Sequence, residues 1–274
     1  MNLIPDQPAN CPTCATQFKG PFCYVCGEKQ ASPKDYTLKK YVVQAVDMFT
    51  HFDGKFFRTI KYLLFYPGKL TEENLAGRKV KLMKPVQLFV LISLVYFFLM
   101  KEADVFISYL EYASTNGPLY QAAQQKASQK NIPFEDFKEH YDKALPAISK
   151  TFVFVLVPMI ASGVWMLFFR RSKLFVPHLI FATHFFTFFL LITLIYFELI
   201  MFWFNPEEFS IAQRLTWLGL GGMMVAVYLF FALKHVYQQR WFTTLLKTSA
   251  LMVWFFLMLT IYRETVSWVY LYLS

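Results

Sequence analysis

The chain has 274 residues, of which 56% are hydrophobic, 20% are aromatic and only 16% are charged. A soluble globular domain carries about 25% charged residues, so this composition excludes an ordinary soluble protein and favours an integral membrane protein. The net charge of +9 raises the question of nucleic-acid binding. In a membrane protein, however, an excess of Lys and Arg is typical of cytosolic loops that meet anionic lipid. We therefore expect a lipid bilayer with anionic headgroups as partner, and not nucleic acid.

All four cysteines lie near the N-terminus in two C-x2-C pairs, Cys11 with Cys14 and Cys23 with Cys26. Two residues between cysteines allow one tight turn to direct both thiolates at a metal ion, and two such turns complete a tetrahedral site. The spacing predicts a zinc ribbon over residues 1–33 that holds one structural zinc ion, because four protein ligands leave no open position for catalysis. Iron uses the same ligands, and two disulfides are the alternative in an oxidising compartment.

The next region, residues 34–84, is rich in aromatic residues but too charged to span a bilayer, with 11 Lys or Arg against 5 acidic residues. Its stretch from 56 to 66 has apolar residues at helical spacing, and Pro67-Gly68 ends that pattern. We predict a basic region of amphipathic helices that lie in the membrane interface. A cytosolic helical hairpin packed beneath the spans is the alternative.

The remaining residues, 85–274, contain five apolar blocks close to the roughly 20 residues that a helix needs to span a bilayer. The blocks are 85–100, 151–169, 174–204, 215–233 and 245–262. The predicted fold is an all-α integral membrane protein of about five transmembrane helices, with a small N-terminal zinc ribbon and amphipathic interfacial helices. In the outer loop, residues 101–150, the piece 134–148 has helical spacing and is either a small cap or an extension of the second block.

The charges of the connecting segments alternate along the chain. The region before the first block has a net charge of +6, and the loop 101–150 has a net charge of −1. The next three connections are basic, acidic and basic in turn. By the positive-inside rule, this alternation predicts a cytosolic N-terminus and an outside C-terminus. Residues 1–10 show no signal-peptide pattern, which agrees with a cytosolic ribbon.

Two stretches within the first hundred residues have a characteristic pattern. One is the ribbon, CPTC with FCYVCGEKQ, and the other is FFRTIKYLLFYPGKLTEENLAGRKVKLMKPVQLFVLISLVYFF, with its Arg58-Thr59, Pro67-Gly68, Gly77-Arg78-Lys79 and Lys84-Pro85. Together they resemble an uncharacterised family of bacterial multi-pass membrane proteins, a domain of unknown function with an N-terminal zinc ribbon. The resemblance covers roughly residues 11–100. It implies a location in the bacterial inner membrane and brings no known activity.

Three ionisable residues interrupt the third apolar block: His178, His184 and Glu198. His184 and Glu198 are fourteen residues apart, so they share a helix face but lie about 21 Å apart along its axis. Ionisable residues within a membrane segment favour a functional site, here a path for a proton or an ion. The alternative is that these side chains are satisfied by hydrogen bonds to neighbouring helices or lie at the interface.

Enzymatic motifs such as a phosphate-binding loop, H-E-x-x-H or a nucleophile elbow do not occur in the sequence. The favoured hypothesis is a non-catalytic inner-membrane adaptor or scaffold, whose cytosolic zinc ribbon recruits or regulates a protein partner. The alternative is a small transporter or channel, as a homo-oligomer, with a polar path along the third span at His184 and Glu198. A third hypothesis, an enzyme acting on lipid at the interface, depends on His51 and Asp53.

Overall fold

The computed structural model is mainly helical, and it describes residues 8–30, 54–99, 117–203 and 211–273. In these ranges a small N-terminal hairpin precedes eight helices. The hairpin strands are β1 (Ala9–Asn10) and β2 (Gln17–Phe18). The helices are α1 (Lys55–Phe65), α2 (Lys69–Leu75), α3 (Pro85–Leu99), α4 (Pro118–Gln129), α5 (Phe134–Phe168), α6 (Phe175–Trp203), α7 (Ile211–Tyr237) and α8 (Trp241–Leu273).

Three helices are long and apolar enough to span a membrane. They are the segment Phe175–Tyr196 of α6, the segment Gly219–Tyr237 of α7, and α8. Helix α3 and the segment Val153–Phe168 of α5 are also apolar but shorter. These five helical segments overlap the five apolar blocks of the sequence, with different ends. These three helices therefore support the prediction of a membrane protein, and the number of five spans stays a prediction.

Helix α6 is the centre of the helical domain, where it packs against α3, α5 and α7. Its apolar segment is 72% buried inside the protein, whereas those of α7 and α8 are each 28% buried. A helix that is apolar on all sides can be covered by other helices around its whole circumference. Aromatic rings join the layers: Phe188 stacks on Tyr228 of α7, and Phe185 meets Phe255 of α8 edge-on at 5.5 Å between ring centroids.

Helices α5 and α8 have 35 and 33 residues and so exceed the roughly 20 residues that a span requires. Their additional turns pack on each other and on α4. The Tyr270 ring lies 4.9 Å from the Tyr141 ring and 6.3 Å from the Phe137 ring, measured between centroids. Residues 134–148 are therefore continuous with the second apolar block and extend it, rather than forming a separate cap.

Two short helices, α1 and α2, pack against the central helix α6. Helix α1 ends at Phe65, close to the Pro67-Gly68 pair at which the sequence predicts a break. Gly68 adopts a φ of 84°, a left-handed conformation that glycine reaches without strain. After this turn, α2 packs against both α6 and α7.

Candidate metal centre and its contact with the helices

Cys11 and Cys14 lie on a tight turn that follows β1. The Cys11 carbonyl accepts a hydrogen bond from the Ala15 N–H, and the Cys11 N–H donates to the Thr16 carbonyl, both at 2.9 Å. Ala15 closes this turn with a φ of 59°. This left-handed conformation costs a residue with a Cβ about 1–2 kcal/mol, so the turn is held by the interactions around it.

The second turn repeats the geometry of the first. The Cys23 carbonyl accepts from the Gly27 N–H at 2.8 Å, and the Cys23 N–H donates to the Glu28 carbonyl at 2.7 Å. Gly27 has a φ of 72° and occupies the position that Ala15 has in the first turn. The ribbon is thus built from two equivalent halves, each of which presents one pair of thiols.

The two turns bring the four predicted ligands together: all four sulfur atoms lie within 4.8 Å of one another. The distance between Sγ atoms is 3.4 Å from Cys11 to Cys26 and 3.6 Å from Cys14 to Cys23. These distances are too long for a disulfide bond of about 2.05 Å. They are close to the edge of about 3.8 Å in a tetrahedron with metal–sulfur bonds of about 2.3 Å. The cluster can therefore hold one metal ion.

The surroundings of one ligand, Cys14, favour its ionised form. The Cys14 sulfur lies 3.4 Å from Oγ1 of Thr16. Hydrogen bonding to the Thr16 side chain and backbone lowers the pKa of the Cys14 thiol to about 6. Because a metal ion binds the thiolate and not the thiol, this environment prepares Cys14 for coordination near neutral pH.

Glu28 joins the ribbon to the helical domain. Its side chain is buried, with the residue only 2% exposed. The carboxylate oxygen Oε2 accepts hydrogen bonds from the Thr13 hydroxyl at 2.7 Å, from the Lys79 N–H at 3.0 Å and from the Val80 N–H at 3.1 Å. Three donors compensate the carboxylate for its loss of water, and two of them come from the segment between α2 and α3. The contact therefore fixes the ribbon against that segment.

A second carboxylate shapes the segment that Glu28 binds. The Arg78 guanidinium donates to both oxygens of Glu73, through Nε at 2.5 Å and Nη2 at 3.0 Å. This paired contact with Arg78, supplemented by Lys69, holds the pKa of the Glu73 carboxyl below its usual range. Gly77 supplies the left-handed turn, with a φ of 82°, that returns Arg78 toward the end of α2. The backbone N–H groups that follow are thereby aimed at the ribbon.

Helix α2 is also tied to the two helices that flank it. Oγ1 of Thr71 lies 2.9 Å from Nδ1 of His184 in α6, and both residues are buried. Oε2 of Glu72 lies 2.8 Å from Nε2 of His235 in α7, at the exposed edge of the contact. Gly68 lets the chain pass close to α7, because a Cβ at that position would lie 2.8 Å from a backbone carbonyl oxygen of that helix.

The two histidines of the predicted intramembrane polar site do not share one set of contacts. Nδ1 of His178 lies 2.8 Å from the Tyr237 hydroxyl, and Nε2 lies 3.1 Å from the Ser172 carbonyl oxygen. His184 instead contacts α2. Each histidine thus has a hydrogen-bond partner inside the protein, as in the alternative interpretation of these residues. Glu198 lies on α6, beyond the residues whose side chains the structure describes.

Sequence reasoning did not single out Glu28, Thr71 or His235. Glu28 could have been noticed, since it follows the second cysteine pair at the position that Thr16 has after the first. Thr71 and His235 carry no local signal, because their partners lie more than a hundred residues away in the chain. His51 and Asp53, on which the hypothesis of a lipid enzyme depends, lie outside the described residues.

Helices α1, α2 and α3, with the segments between them, form the part of the helical domain that holds the ribbon. Residues 53–97 match a family described as a protein of unknown function, DUF3667. The match supports the resemblance to a domain of unknown function over this part of the chain. It leaves the ribbon and α4 to α8 outside, so a ribbon as a family feature and a bacterial origin stay predictions. No curated protein and no solved structure matches the chain.

Proposed function

We propose that this chain is a multi-pass adaptor of the bacterial inner membrane, whose cytosolic ribbon holds one zinc ion and presents a docking surface to a partner protein. The proposal includes no catalytic step. It follows the charge alternation of the sequence, which favours a cytosolic N-terminus and an outside C-terminus. The observation that carries it is the exposed apolar surface of the ribbon.

Zinc is the metal that best suits the ribbon in this proposal. Four thiolates with no water position make a closed site, which is the usual arrangement of structural zinc. In the described part of the ribbon, residues 8–30, the buried apolar centre consists of Cys11, Phe18 and Cys23. So small a core supplies little folding free energy, and a bound metal ion supplies the rest. Iron would bind the same ligands, and metal analysis of the purified protein distinguishes the two.

The docking surface is the outer side of the second cysteine turn. Phe22, Tyr24 and Val25 are 58%, 75% and 59% exposed, although all three are large apolar or aromatic residues. Adjacent exposed residues of this kind are typical of protein-binding sites, where aromatic side chains contribute most of the affinity. They flank Cys23, so loss of the metal would disorder the surface. We infer that partner binding depends on bound zinc.

The contact made by Glu28 gives the adaptor its defined geometry. Because Oε2 of Glu28 binds the N–H groups of Lys79 and Val80, the ribbon is held on the helical domain. A partner bound at Tyr24 would then sit at a fixed position relative to the bilayer. A ribbon on a free linker would only raise the local concentration of that partner.

The test is photo-crosslinking in native membranes. A photoreactive residue replaces Tyr24, and in a matched control it replaces Lys19, which is also exposed on the ribbon. We expect a protein adduct of defined mass from position 24 and none from position 19. Adding Phe22→Ser and Val25→Ser should remove the adduct while the purified protein keeps one zinc ion per chain. Adducts to lipid alone, or equal adducts from both positions, contradict the adaptor proposal.

The transporter hypothesis makes a different prediction for the same protein. If α6 carries an ion path, Glu198→Gln should abolish flux in proteoliposomes and leave the adduct at position 24 unchanged. If the protein is an adaptor, Glu198→Gln should have no effect on a crosslinked partner, and no ion gradient should be dissipated by the wild-type protein. The two results together separate the hypotheses.

A further inference from the structure

A cavity of about 300 Å³ lies where the ribbon meets the helices. Its walls come from the first cysteine turn, from α1, and from α2 with the segment that follows it. The polar residues that line it are Thr13, Arg58, Tyr62, Glu73, Arg78 and Lys81. The ribbon and the helical domain therefore both contribute to one polar cavity.

The charge of this cavity is positive. Three of the lining residues are cationic, and Glu73 is the one acidic residue among them. Both oxygens of Glu73 are already engaged, by Arg78 at 2.5 and 3.0 Å and by Lys69 at 3.0 Å. Neither Arg58 nor Lys81 forms an ion pair with any residue that the structure describes. The cavity thus holds two cationic side chains that have no ion-pair partner among the described residues.

The donors in the cavity suit a phosphate group. A guanidinium has five N–H donors, and Arg78 uses two of them on Glu73, which leaves three that can point elsewhere. Arg58 adds a second guanidinium, Lys81 adds an ammonium group, and Tyr62 adds a hydroxyl. Guanidinium groups bind phosphate oxygens in pairs, and lysine binds them as a point charge.

We propose that this cavity binds a phosphate group, carried either by an anionic lipid headgroup or by a soluble phosphate. The lipid source agrees with the position of Lys81, four residues before the apolar helix α3 begins at Pro85. Thr13 lines the cavity and its hydroxyl donates to Glu28. A bound phosphate therefore lies beside the joint between the ribbon and the helices and strengthens it. The site needs no partner protein, so it stands or falls separately from the adaptor proposal.

The test uses the zinc-loaded full-length protein and the double variant Arg58→Gln with Lys81→Gln. Both side chains are exposed, so the variant should fold, and its zinc content and unfolding midpoint are measured to establish this. The matched control is Lys130→Gln with Lys138→Gln. It also removes two positive charges, but neither lysine lines the cavity and both lie far from the lining residues in the sequence. If the double variant is unstable, Arg58→Lys with Lys81→Arg, which retains both charges, is compared with the wild type for retained binding.

The first measurement reconstitutes each protein in nanodiscs of phosphatidylcholine with phosphatidylglycerol and counts the lipids retained by native mass spectrometry. The second adds inorganic phosphate to delipidated protein in detergent and follows binding by calorimetry. A cation near a membrane surface contributes about fivefold to anion affinity, so the double variant should bind about 25-fold more weakly. The control should bind like the wild type.

Each outcome decides the proposal. Preferential retention of phosphatidylglycerol that the double variant loses supports the site and assigns it to lipid. Binding of inorganic phosphate without lipid preference, again lost in the double variant, supports the site and assigns it to a soluble phosphate. The proposal is overturned if the wild type binds neither probe, or if the double variant binds either probe as tightly as the wild type does.

Discussion

The Thr71 hydroxyl lies 2.9 Å from Nδ1 of His184, and both residues are buried. One belongs to a polar helix of seven residues, and the other belongs to the apolar segment of α6, which is 72% buried. The contact explains how α2, whose sequence KLTEENL could not be held by apolar packing alone, stays between α6 and α7. It also gives His184 a structural role.

Removal of this hydrogen bond should destabilise the helical domain. Thr71→Val keeps the shape of the side chain but leaves the buried His184 nitrogen without its partner, which costs about 1–3 kcal/mol. Thr71→Ser retains the hydroxyl and should lose much less. The measurement is the free energy of unfolding in detergent. Equal stability of the two variants would show that the hydroxyl contributes nothing.

The cysteine cluster could be predicted from the sequence because its determinants are local. All four ligands lie within sixteen residues, and each pair needs only one turn of a known type. The end of α1 near Pro67-Gly68 is local in the same way. Apolar blocks predict the positions of the long helices, because each block is a property of a single segment.

The contacts that hold the ribbon and α2 could not be predicted in this way. Glu28 and Lys79 are 51 residues apart in the chain, and Thr71 and His184 are 113 apart. Many polar residues could form such pairs, and only tertiary packing selects one. The basic cavity has the same origin, since its lining joins Thr13 of the ribbon to Arg58 and Lys81, which lie far along the chain.

Truncation of Glu28 should loosen the ribbon without removing the metal. Hydrogen bonds to a charged group contribute about 1.5–3 kcal/mol, so Glu28→Ala should accelerate amide exchange at Lys79 and Val80 about tenfold to a hundredfold. Hydrogen–deuterium exchange of the peptide 76–84 measures this, with Lys19→Ala as the control. Unchanged exchange in Glu28→Ala, with the metal content intact, would rule out the joint.

Because the two cysteine turns have the same geometry, two substitutions should change the stability of the ribbon in opposite directions. Ala15 has a φ of 59° and Gly27 a φ of 72°, and no atom of the described residues lies within 4 Å of a Cβ added at Gly27. Ala15→Gly should therefore relieve strain and stabilise the ribbon by up to about 1 kcal/mol, whereas Gly27→Ala should destabilise it by about 1 kcal/mol. The rate of metal release to a competing chelator measures the stability of both variants. A stability change of the same sign in both variants would contradict the structural equivalence of the two turns.

Stability at acid pH should depend on Glu73. Arg78 lowers the pKa of this carboxyl in the folded protein, so its stabilising effect is fully present above the unfolded pKa of about 4.3. It is lost as the pH falls through the folded value. The stability difference between wild type and Glu73→Gln should thus shrink as the pH is lowered below about 4. Glu139→Gln, which removes an exposed pair, should show little difference at any pH.

Close packing of α5 on α8 makes Gly163 intolerant of a side chain. A Cβ at Gly163 would lie 2.3 Å from the Trp254 ring, and that ring is held because its Nε1 donates to the Met159 carbonyl at 3.0 Å. Gly163→Ala should cost about 1–3 kcal/mol through overpacking, even though alanine favours a helix by about 1 kcal/mol over glycine. Gly222→Ala gains the same propensity, and no described atom lies within 4 Å of its added Cβ, so it should be neutral or stabilising. The free energy of unfolding in detergent compares the two variants. If Trp254→Phe restores the stability that Gly163→Ala loses, the Trp254 ring is the cause of the loss. Equal stability of both glycine variants would refute the contact.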